Sequence, residues 1–251
     1  MAIYRSGNPA LRETTFAALP SVHEADEGMT LQGTVNKTAV LLLTVFATSM
    51  FTWTRFTASG DFGAVSIFLL GGAFGGFAVG LVIILKKTLA PYLSIVYAAL
   101  EGLFLGGISA IFEAEYPGIA FQALMLTVGI CASLLLLYTT RLIRPSENFK
   151  LIVGSATLGV ALFYLVSIAL SFFGVRAPLI HDNSWLGIGF TAAVVVLASL
   201  NLVVDFDFIE KGAEQHAPKY MEWYGGFGLL VTLIWLYIEL LRLLSKLRSR
   251  D

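Results

Sequence analysis

The sequence predicts an all-α integral membrane protein with seven transmembrane helices. Three observations lead there. Of the 251 residues, 57% are hydrophobic and only 13% are charged, about half the charged share of a soluble domain. The charges fall in clumps at tails and loops. Between the clumps lie apolar blocks, each near the roughly 20 residues that cross a bilayer.

The elements follow in chain order. Residues 1–33, "RSGNPALRETTFAALPSVHEADEGMT" among them, mix Pro, Gly, Thr and charge without an apolar core. They lack the basic-then-apolar order of a cleaved signal peptide. They are expected to form a flexible soluble tail, with the helical domain over 34–251. The first helix is expected at Val35–Trp53, ending before "SGD" and acting as the targeting signal. The second, Phe62–Leu85, ends at "KKTLAP". Its Gly72, Gly76 and Gly80 recur every four residues, a spacing that lets backbones approach closely in lipid. The third, Pro91–Phe112, repeats that spacing at Gly102 and Gly106 and ends at "EAEYPG". The fourth, Gly118–Tyr138, stops at "RLIRPSEN", and the fifth, Leu151–Phe173, at "RAPLIHDN". Trp185–Phe208 and Tyr224–Leu244 complete the set. Trp53, Trp185 and Trp223 stand at helix ends, where an indole prefers the interface. The glycine faces are read as packing within one chain, leaving a monomer or weak homo-oligomer.

Lys and Arg set the orientation. Lys37, Lys86, Lys87, Arg141, Arg144, Lys150, Lys211 and Lys219 share a side with Arg5 and Arg12 of the tail, whereas Arg55 and Arg176 lie opposite. Lys246, Arg248 and Arg250 follow the last span. Basic residues in short loops stay in the cytoplasm, which places the N-terminus there.

Several classes are excluded. No basic stripe suggests nucleic acid. The single cysteine, Cys131, allows neither an intrachain disulfide nor a cysteine-based metal site. His23, His181 and His216 sit in the tail and in loops, without the three converging ligands that catalytic zinc needs. No Ser–His–Asp or Ser–Lys arrangement is readable within the spans, and residues Tyr224 to Leu244 contain no lysine for a retinal. The expectation is a protein that is not an enzyme and carries no cofactor.

What remains is acid inside apolar helices. A carboxylate at mid-bilayer costs about 2.5–3.5 kcal/mol on insertion scales, so it faces the bundle interior or water. Glu101 lies mid-helix in "YAALEGLFLGG". Asp205 lies late in the sixth helix in "ASLNLVVDFDFIE", one turn beyond Asn201 on the same face. Asp207 and Glu210 follow as outlying charges that concentrate cations. Glu239 lies in "LIWLYIELLRLL", with Arg242 one turn later. If Asp205 and Glu239 converge, they form a carboxyl pair sharing one proton, able to change charge near physiological pH. Ionised, such a pair binds a hard cation such as calcium. On the helix ends above, however, the two differ in depth by about 10–15 Å. Either the seventh helix starts nearer Phe227, the sixth runs past Glu210, or the acids do not meet.

The chain resembles a bacterial member of the Bax inhibitor-1 family (transmembrane Bax inhibitor motif, YccA/YetJ-like). The resemblance rests on "EGLFLGGIS" in the third helix, "LNLVVDFDFIE" in the sixth and "LIWLYIELLRLL" in the last. It implies two three-helix layers around a central C-terminal helix, in the bacterial plasma (inner) membrane. It also implies a pH-sensitive calcium leak controlled by Asp205 and Glu239, with Glu101 matching the third-helix glutamate. The family's acids are commonly balanced by a basic residue of the second helix. Here that helix has none, and Lys86 and Lys87 just past its end are the candidates. A second role is implied by YccA-type relatives, which modulate a membrane-bound protease; the tail would then be the handle.

Overall fold

A computed structural model of the chain describes residues 28–174 and 184–249. The expected tail over residues 1–27, and the loop that carries Arg176 and His181, lie outside the described residues. Among the described residues, seven helices are long and apolar enough to cross a membrane: α1 Leu31–Ser59, α2 Gly63–Leu85, α3 Ala90–Glu115, α4 Ile119–Thr139, α5 Glu147–Phe172, α6 Trp185–Glu214 and α7 Met221–Arg248. A single 3₁₀ turn, Lys87–Leu89, joins α2 to α3. The described residues hold no strand beyond one isolated bridge, Gly28 with Pro218.

Helix ends depart from the expected ones for local reasons. α1 starts before Val35 because Thr30 caps it, its hydroxyl accepting from Gly33 N at 2.9 Å. It runs past Trp53 to Gly60, whose φ of 62° is the left-handed turn that ends it. Along α1 the threonines return their hydroxyls to the preceding turn: Thr34 to Thr30 O at 3.0 Å, Thr38 to Thr34 O at 2.9 Å, and Thr48 to Thr44 O at 2.9 Å. α6 continues past Phe208 to Glu214, helped by an Asp207–Lys211 ion pair at 3.3 Å one turn apart. So of the three alternatives left by the sequence, the sixth helix does run past Glu210. α7 begins at Met221, earlier than expected. The start of α4 is capped by Glu113, which accepts from Gly118 N at 2.5 Å and Ala120 N at 3.1 Å.

The chain divides into two compact units. Of the described residues, one contains 121–174, 184–206 and 232–249, hence α4, α5, most of α6 and the second half of α7. The other contains 28–120 and 207–231, hence α1, α2, α3, the end of α6 and the first half of α7. In that second unit α3 is gripped from two sides. A Cβ at Gly72 of α2 would lie 2.5 Å from Leu100 O, and one at Gly106 of α3 would run into Ser49 O of α1. The glycines permit backbone contact between helices of one chain. α6, α7 and α3 are the most buried of the seven, and α1 and α5 the least.

Candidate functional site

In the first unit, Asn201, Asp205 and Glu239 are 1%, 0% and 1% exposed. α5 is a common scaffold for Asn201 and Glu239. It presents Thr157 and Tyr164, two turns apart and separated by about 10 Å of helix rise. Asn201 Nδ2 donates to Thr157 Oγ1 at 2.8 Å and to Leu197 O at 2.9 Å. Two turns along α5, Tyr164 donates its hydroxyl to Glu239 Oε1 at 2.9 Å. Arg242 Nη1 reaches the same carboxylate oxygen at 2.7 Å and the Tyr164 oxygen at 3.0 Å. The guanidinium also lies 5.5 Å over the Tyr164 ring.

Asp205 lies one turn past Asn201 on α6, and Phe206 beside it packs on Tyr138 of α4 with ring centroids 5.8 Å apart. Both acids lie in one unit. Glu239 takes its hydrogen bonds from Tyr164 and Arg242 rather than from Asp205. Two buried oxygens, Oε2 of Glu239 and Oδ1 of Asn201, have no hydrogen-bond partner among the described residues. Oxygens of this kind are the ligands that hard cations take. No group of three or more His, Cys, Asp or Glu suited to hold a metal ion occurs among the described residues.

The remaining sequence candidates fall in the second unit. Glu101 is half-buried, hydrogen-bonded with Tyr97 one turn earlier. It lies against Gly76, where a Cβ would come within 2.6 Å of its Oε1. The Tyr97 ring in turn packs edge-on against Phe227 at 4.8 Å. Asp207 pairs with Lys211. Lys86 sits at the end of α2, and the Lys87 ammonium lies 5.8 Å over the Tyr224 ring.

Sequence reasoning did not single out Thr157, Tyr164, Glu222 or Lys246 as site residues. Lys246, only 4% exposed, donates to Gly187 O at 3.1 Å and Thr191 Oγ1 at 3.0 Å, tying the end of α7 to the start of α6. Glu222, 0% exposed, accepts from Thr30 N at 3.0 Å and Thr30 Oγ1 at 2.8 Å. Thr157 and Tyr164 carried one readable signal, their seven-residue spacing, which puts them on one face of α5.

A family model, Bax inhibitor 1 like, matches residues 8–249, which is nearly the whole chain. The chain belongs to the Bax inhibitor 1-like family. No match was found to a curated protein or to a solved structure. Membership and the seven apolar helices together make this Bax inhibitor 1-like chain a multi-pass membrane protein.

Proposed function

We propose that this Bax inhibitor 1-like protein is a pH-sensitive cation leak pathway, with calcium as cargo, in the bacterial plasma membrane. Its N-terminus is cytoplasmic, following the Lys and Arg bias. One observation carries the reading: Asp205 and Glu239 are buried carboxylates inside apolar spans of one unit. Intramembrane acids are expensive and mark ion or proton routes.

The chemistry follows from the partners. Glu239 is held by an internal cation, Arg242, and by the Tyr164 hydroxyl. A passing cation competes with Arg242 for that carboxylate, while Asn201 and Asp205 offer oxygens at a second level. Protonation of either acid removes the charge that attracts the cargo. Asp205 and Glu239 thus act as two separate acids of one unit rather than as one hydrogen-bonded pair. The test is calcium flux into proteoliposomes from about pH 5 to pH 8. Asp205→Asn and Glu239→Gln should each reshape the pH dependence; if neither does, the gate lies elsewhere.

A second reading, a regulator that binds a membrane-bound protease through its tail, is favoured by a separate observation. The last residues before α1 are seated on the α6–α7 connection. Removal of residues 1–27 leaves that seat intact. It should spare flux in a channel and abolish the effect of a tail-dependent regulator.

A further inference from the structure

Gly28, Met29 and Thr30 run in extended form along the connection between α6 and α7. Gly28 bridges Pro218, and Met29 N donates to Ala217 O at 2.6 Å. The Met29 side chain is 2% exposed, and a Cβ at Gly225 of α7 would lie 3.5 Å from its terminal methyl. Thr30 then gives both its N–H and its hydroxyl to Glu222 Oε1 while capping α1 through Gly33 N. Lys219 Nζ lies 2.9 Å from the same carboxylate oxygen and 3.5 Å from Gly28 O. Lys37 faces the other carboxylate oxygen at 3.8 Å and stands 5.6 Å over the Trp223 ring. Gly33 completes the seat, because any Cβ there would occupy the space of the Glu222 carboxylate. All these residues belong to one unit.

A carboxylate that gathers donors from a segment 192 residues away is a fastening rather than a solvated helix-end charge. Glu222 stands in the first turn of α7, and Glu239 lies about five turns further along the same helix. We propose that Gly28–Thr30 is a strap and Glu222 its buckle. Seated, the strap fixes the first turn of α7, and unseating it alters traffic at Glu239. Glu222 is then a positioning residue. This rests on the leak-pathway reading above.

The test combines two readouts on the full chain in proteoliposomes: hydrogen exchange at the Met29 and Thr30 amides, and calcium flux. Glu222→Gln should speed exchange at both amides and change flux several-fold. A disulfide between Gly28→Cys and Pro218→Cys, in a Cys131→Ser background, reseats the strap without the carboxylate. Antiparallel bridged residues have Cα atoms about 4.5–5.5 Å apart, within the range that a disulfide spans, so flux in the oxidised Glu222→Gln protein should return to the wild-type level. Unchanged exchange in Glu222→Gln overturns the buckle. Faster exchange with wild-type flux makes the strap a structural clip only and overturns the inference while leaving the pathway standing. A wild type that carries no calcium overturns the pathway reading and this inference with it.

Discussion

α7 carries two buried glutamates about five turns apart, and they are served differently. Glu222 takes two hydrogen bonds from Thr30 and the Lys219 ion pair on Oε1, while its Oε2, without a hydrogen bond, has the Lys37 ammonium at 3.8 Å. Glu239 concentrates its partners, Tyr164 and Arg242, on one oxygen and leaves the other without a hydrogen bond. The first arrangement spends the charge on joining distant parts of the chain. The second gathers its partners within two neighbouring helices and has no cation paired with its second oxygen among the described residues.

The contrast is broken most severely at Arg242. It is the cation paired with Glu239, so Arg242→Ala should destabilise the protein by about 3–5 kcal/mol, the cost of leaving a buried charge uncompensated. Thermal unfolding in detergent checks this; a loss below about 1 kcal/mol would mean Glu239 is not held as a buried anion. Glu222→Gln comes next, at about 1.5–3 kcal/mol, because charge-assisted hydrogen bonds become neutral ones. Tyr164→Phe removes the hydroxyl that donates to Glu239 and should cost about 1 kcal/mol in thermal unfolding; an unchanged stability would mean that this hydrogen bond does not hold Glu239. Lys219→Ala sharpens the comparison at its mild end. Its side chain is 53% exposed, and Lys37 and Thr30 remain on Glu222, so unfolding should change by about 0.5 kcal/mol or less.

The spans were legible because apolar length is written in composition, and so were Asp205 and Glu239, as charges within apolar runs. Helix ends were legible only where a turn residue ends the apolar run. The end of α6 was hidden because Asp207 to Glu214 read as loop charge, yet Asp207 and Lys211 pair along the helix. Tyr164 was hidden for the opposite reason, since a tyrosine in an apolar helix gives no hint of what its hydroxyl meets. Glu222 was least legible. It sits where the chain was expected to meet water, and its partner Thr30 stood at the edge of an expected tail. Only folding reveals that the two belong together.

The threonines of α1 have a consequence for assembly. α1 is the least apolar of the seven spans, although it enters the bilayer ahead of the other six. Each hydroxyl bonded to a carbonyl of the preceding turn is satisfied as soon as the helix winds. The helix therefore becomes oilier by the act of folding, before any neighbour exists to shelter it. Acceptance of this chain by the insertion machinery is then a question of whether α1 is wound on arrival, more than of how hydrophobic its residues are.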